Sequence, residues 1–228
     1  MLIGIDGNEA NIKNRVGVGK YAFELLRQFR EIRNSKFEIR NKFQILNSKF
    51  QIYLKDKPLE DLPKGTEWWK YKIVGPRKLW TQIGLPINLF FDKPRPDVFF
   101  TPSHYAPRFC PCPSVISVMD LSFLRYPEMF KKEDLWQLTN WTKYSVKKAK
   151  KVLTISNSSK NDIIKYYGVG EEKVVVTYQG LTKVENMENI KEKYRIKEVS
   201  VFKDNTNVWF YPQYRHVERK TTGMLWWK

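Results

Sequence analysis

The sequence predicts an α/β protein built on a doubly wound parallel sheet over residues 1–180, and three observations carry that reading. Short apolar runs at 2–6, 50–54, 71–75, 97–102, 114–120, 152–156 and 174–177 recur along the chain. Stretches with helical spacing stand between many of them, the alternation expected of parallel strands joined by crossovers. The runs at 97–102 (DVFFTP) and 114–120 (SVISVMD) are apolar on both faces, as strands covered by helices on both sides must be.

The first strand, LIGID, enters a polar loop that ends in Arg15-Val16-Gly17-Val18-Gly19-Lys20. A helix follows, with Ala22, Leu25, Leu26, Phe29 and Ile32 on one face. A glycine turn before a helix N-terminus offers an anion unpaired N–H groups and the positive end of the dipole. Gly17 and Gly19 would let a ligand approach the backbone, and Arg15 and Lys20 add charge. The same glycines also fit a tight strand–helix turn with no ligand. If they serve ligand approach, Gly19→Ala should leave the fold nearly intact, since alanine suits a helix once φ is negative; if Gly19 has φ > 0 for the turn alone, the same change should cost about 1 kcal/mol or more.

Residues 34–49 contain near-copies of the unit that ends in the strand FQIYL (50–54), and read as a duplicated surface insertion. Pro86 interrupts the apolar stretch 79–91 and is expected to kink or end it. The segment 103–113 follows a buried strand at its C-terminal end, where open α/β sheets bind ligands, and it carries His104. Asp120 ends the next strand, and 120–130 reads as an irregular loop. A helix over 134–151 turns Leu135, Leu138, Trp141, Ser145, Val146 and Ala149 inward. Ser156 is expected to cap the helix 157–167, and Gly168 to stop it.

The 228 residues suffice for one core, or for one domain and part of another. Asp6 interrupts the first apolar stretch, so a signal peptide is not expected there, and no apolar run is long enough to span a membrane. Cys110 and Cys112 lie too close for an ordinary structural disulfide and have no zinc partners, so they read as free thiols in a cytosolic protein. The net charge of +17 points to an anionic partner. It is spread along the chain without a binding signature, and nucleic acid is not expected.

Four stretches in order resemble a family. RVGVGKYAFELL, SVISVMDLSFLRYPEMF, VLTISNSSKNDIIKYYGV and EEKVVVTYQG are similar to the glycine loop, the His-Asp-Leu…Pro-Glu strand and loop, the Val-Ser-x-x-Ser helix entry and the Pro-Asn-Gly strand of family 4 glycosyltransferases. The resemblance covers the N-terminal, Rossmann-like half of the retaining GT-B fold. It implies transfer of a sugar from a nucleotide-sugar donor to a saccharide or lipid-linked acceptor of a cell-envelope polysaccharide. It implies no cofactor and no metal, with helix N-termini and basic side chains stabilising the leaving diphosphate.

By the same resemblance Asp120 and His104 are catalytic candidates, since Met119 stands where the family often has histidine. Arg15, Gly17, Val18, Gly19 and Lys20 would face the donor phosphates. Glu9, Tyr105 and Ser156 would line the acceptor side or cleft. Asp120 has an alternative reading, that it pins its loop by accepting backbone N–H bonds.

Residues 1–182 are thus expected to form the acceptor-side domain, and 183–228 a linker, with a short helix over 190–196, and an aromatic, basic tail. That tail does not resemble the family's donor domain and reads as truncated or frame-shifted, which would leave the 228 residues inactive alone. The expected location is cytoplasmic, with peripheral contact at an anionic membrane face. The alternative function is a non-catalytic domain that binds such a surface or an acceptor.

Overall fold

The computed structural model describes residues 1–34 and 47–180, together with the backbone of two strands at 199–203 and 208–212. Most of the repeat insertion, and the helix expected at 190–196, fall outside the described residues. The chain divides into two units, Met1–Tyr178 and Gln179–Lys228.

The first unit is a seven-stranded sheet: β1 (Leu2–Asp6), β2 (Lys49–Leu54), β3 (Trp69–Ile73), β4 (Val98–Thr101), β5 (Ser114–Ser117), β6 (Lys151–Thr154) and β7 (Val174–Val176). Its order is β3-β2-β1-β4-β5-β6-β7, and every neighbouring pair is parallel. The chain winds outward from β1 to β3, crosses back to β4, and winds outward again to β7. This is the Rossmann-like, doubly wound order, and its switch point lies between β1 and β4.

Side-chain alternation places helices on both faces. On one face α1 (Val18–Asn34) brings Ala22, Phe23 and Leu26 against Ile5, Ile52, Leu54 and Phe100. Tyr53 and Phe99 alternate with those strand residues and so point the other way. They receive Leu85 and Leu89 of α2 (Leu85–Phe91), which continues a π-helical turn at Trp80–Gly84. Two further helices, α4 (Lys132–Lys148) and α5 (Asn157–Tyr167), bury Val146, Ile163 and Tyr167 against Ile116, Val152 and Val174. The short helix α3 (Ser122–Arg125) precedes α4.

Some expectations need correction. Pro86 does not end its helix: it sits in the first turn of α2, just where the pattern changes from the π-helical turn before it. The segment 120–130 is not irregular, since it holds α3 and a 3₁₀ turn at Pro127–Met129. β5 stops at Ser117, three residues before Asp120. The tail assigned no element contains an antiparallel pair, β8 (Val199–Lys203) with β9 (Val208–Pro212). At α5 the Ser156 hydroxyl accepts from the Ser159 N–H at 3.1 Å, and Gly168 closes the helix at φ 60°.

Candidate functional site

The carboxyl ends of β1 and β4 adjoin at the switch point, and the segments that follow them carry most of the candidate residues. The loop after β1 is stitched to the segment after β2. Asn8 Oδ1 accepts from the Lys55 N–H at 2.8 Å, and Asn11 Oδ1 from the Leu59 N–H at 2.9 Å. Arg15 clamps the far end. Its Nε donates to the Ala10 carbonyl at 2.6 Å, and Nη1 and Nη2 donate to the two Asp61 oxygens at 2.5 and 2.9 Å. The guanidinium lies 4.0 Å from the Phe23 ring centroid. Asp61 is held below the usual carboxylate range by Arg15. The Arg15 charge is therefore already engaged within the loop.

The two glycines serve different ends. Gly17 has φ 48°, and nothing lies within 4 Å of the position a Cβ would take. Gly19 is buried, and a Cβ there would stand 3.0 Å from the Glu9 carbonyl oxygen and 3.2 Å from Ile12 Cδ1. Alanine at Gly19 would thus press on the loop itself, contrary to the expectation that a non-positive φ makes it harmless. The Lys20 ammonium pairs with Glu24 at 2.7 Å on the half-exposed face of α1. Val18 opens that helix, just beyond the open face of Gly17.

On the β4 side, His104 is half-buried, its ring 6.1 Å from Phe123 and 6.2 Å from Tyr105. Burial pushes its pKa below the usual imidazole value, while the charge of Asp120 pulls it back up. The ring is therefore neutral at pH 7, with one nitrogen donating and one accepting. Asp120 accepts from the Ser122 N–H at 2.8 Å and so does pin its loop at the start of α3, while its carboxylate still acts on His104.

Tyr105 stacks edge-on to Trp141 at 5.5 Å. Burial pushes its phenol up to about 12, a hydrogen bond with Gln137 opposes this, and the charges of Asp134 and, less, Glu9 add to the rise. Glu9 is itself raised by burial, with Lys55 opposing. The structure thus brings Glu9, His104, Tyr105 and Asp120 to one edge. Ser156, at the end of β6, is occupied as the α5 cap.

Two members of this edge escaped the sequence reading. Asp6 ends β1 almost fully buried. It accepts from the Asn8 N–H at 3.0 Å and bonds Thr101 at the end of β4, and burial raises it to about 7. Its signal was its place as the last residue of the first strand, read only as a break in an apolar run. Tyr21 on α1 reaches the Ser117 hydroxyl at 3.2 Å and also bonds Thr177. Neutral imidazole, carboxyls of raised pKa and several hydroxyls together suit a neutral polyhydroxyl ligand, which such groups bind through reciprocal donors and acceptors. Among the described residues no three His, Cys, Asp or Glu side chains gather as a metal site requires.

A cavity of about 710 Å³ opens elsewhere, beside Ser114 and Lys151 at the amino ends of β5 and β6. Cys110 and Cys112 line it as free thiols, their sulfurs 3.8 Å apart.

No family model matches the chain, and no curated protein matches it. Among solved structures it is similar to Anabaena Alr3699/HepE. In the complex of that protein with UDP-glucose the TM-score is 0.45 at 14% identity, over 86% of this chain and 50% of that one. In its complex with UDP the TM-score is 0.43 at 15% identity, with the same coverage. The chain spans half the length of those proteins.

Proposed function

We propose that residues 1–178 form the acceptor-side domain of a family 4-type glycosyltransferase, which moves a sugar from a nucleotide-sugar donor to a saccharide or lipid-linked acceptor. The observation that carries this reading is the convergence of Glu9, His104, Tyr105 and Asp120 on the switch-point edge, beside the N-terminus of α1. Of these residues Asp120 lies in a stretch that resembles the family, and the glycine loop before α1 is another such stretch.

In this reading neutral His104 holds a hydroxyl of the transferred sugar, and Asp120 orients the imidazole through its charge. Glu9, buried enough to hold a proton more readily than usual, takes up the acceptor hydroxyl, and the Tyr105 phenol stays protonated as a donor. The donor phosphates approach the open face of Gly17 and the first-turn N–H groups at Val18 and Lys20. Arg15 supports that loop from behind through Asp61.

Hydrogen exchange of the full chain tests this, with and without nucleotide sugars and short oligosaccharides at millimolar concentration. Slowed exchange at 7–20 and 102–106, lost in His104→Ala and Glu9→Gln, is the expected result. Protection confined to other segments, or none with any sugar, would overturn the reading.

A further inference from the structure

The helix between β3 and β4 is apolar on both sides. Its inward side is spent on the core, where Trp80, Leu85 and Leu89 are 2% exposed or less. Its outward side carries Ile83, Ile87, Phe90 and Phe91, which are 41%, 49%, 58% and 73% exposed. The spacing i, i+4, i+7, i+8 makes these four one helical stripe. The neighbouring loop brings a cation to this helix, where Arg108 donates to Gln82 at 2.9 Å. A contiguous apolar patch of this kind marks an interaction surface, whereas single exposed apolar side chains do not.

This surface is firmly held. The last residue capping α2 is Asp92, whose N–H donates to the Asn88 carbonyl at 3.0 Å. The Asp92 carboxylate is buried and takes hydrogen bonds from Tyr53, Lys72 and, at 2.9 Å, Gln51. The exposure of Phe90 and Phe91 is therefore built in, and the one acid on the stretch is neutralised on the inner side. Outside, cations border the stripe. Arg95 donates to the Phe90 carbonyl at 2.9 Å with its guanidinium 5.3 Å from the Phe90 ring, and Lys78 and Lys93 are exposed at the two ends.

We propose that the outward face of the π-helical turn and α2 is a docking surface for an anionic lipid bilayer. Aromatic and aliphatic side chains would enter the headgroup–acyl boundary while Lys78, Lys93, Arg95 and Arg108 meet the phosphates. An apolar stripe edged by cations is the pattern that an interfacial helix needs, and the charge of +17 favours an anionic partner over a neutral one. The surface lies on α2 and not on the loops at the switch point, so the inference stands independently of sugar transfer.

Co-sedimentation of the full chain with vesicles tests it, using phosphatidylcholine alone and phosphatidylcholine with phosphatidylglycerol. Binding to the anionic vesicles and little to the neutral ones is expected. The double variant Phe90→Ser/Phe91→Ser keeps every charge and should fold, since both side chains are exposed; its affinity should fall about tenfold or more. Lys78→Gln/Lys93→Gln, at two exposed lysines, should weaken binding and flatten its salt dependence, with an unchanged melting curve. Equal binding by the Phe double variant would overturn the proposal in favour of diffuse charge attraction. No binding by the wild-type chain would also overturn it. So would a vesicle-free dimer that the Phe double variant abolishes, because a second copy would then own this face.

Discussion

The Tyr21 hydroxyl on α1 lies 3.2 Å from the Ser117 hydroxyl at the end of β5. This contact crosses the sheet edge above β1 and β4, so it joins the helix that opens the site to a strand on the far side of the switch point. Thr177, just after β7, completes the link. The pair fixes the position of the first turn of α1 relative to the loops that carry His104 and Asp120.

Tyr21→Phe removes that hydroxyl and leaves the ring in place. The expected cost is about 1 kcal/mol, the usual value of one partly buried hydrogen bond. Urea denaturation measures it. Amides at 16–21 should exchange faster in the variant, and unchanged exchange there would show that the contact holds nothing.

Arg15 is expected to act through the loop and not through its free charge. Arg15→Lys loses the two-pronged contact with Asp61 and the bond from Nε to Ala10, and should cost about 1 kcal/mol. Lys20→Ala removes only a half-exposed pair on one helix face and should change stability by less than about 0.5 kcal/mol. Equal effects in thermal melts would contradict the clamp.

Much of the fold was legible because its signals are local. The seven apolar runs all became strands, and Ser156 and Gly168 bound α5 as their side-chain chemistry demands. Pro86 misled because a proline that breaks a helix and one that starts it look alike until the preceding turn is known. The site was legible only as far as strand ends are. His104 and Asp120 follow strands, and the sequence places them at the carboxyl edge of the sheet. The engagement of Arg15 by Asp61 spans 46 residues, and the burial of Asp6 depends on strand order; neither has a local signal.

Gly17 and Gly19 should respond in opposite ways to asparagine. Gly17→Ala should cost about 1 kcal/mol because φ is positive, and Gly17→Asn less, since asparagine tolerates the left-handed region. At Gly19 the obstacle is the Glu9 carbonyl, so Ala should cost roughly 1–3 kcal/mol and Asn more. Denaturant midpoints of the four variants decide it. The same rank order at both positions would mean that conformation, and not space, governs Gly19.

Asp6 should make stability fall as pH rises. Its carboxyl titrates near 3.8 in the unfolded chain and at about 7 when buried beneath the loop after β1. Between those values the native state holds a proton that the unfolded state has released. Unfolding then liberates a proton, and each unit of pH removes up to about 1.4 kcal/mol of stability from this group. The loss begins near pH 4, is complete a little above 7, and does not grow further at higher pH. Glu9, also raised by burial, bends the curve the same way, whereas Asp61, lowered by Arg15, bends it the opposite way. The comparison must therefore be with a single variant. Asp6→Asn keeps an oxygen to accept from the Asn8 N–H and cannot ionise. Its stability should match or fall slightly below wild type at pH 4 and exceed it at pH 8. The difference between the two curves isolates Asp6, and curves that run parallel from pH 4 to 8 would show that its carboxyl titrates alike in the native and unfolded states.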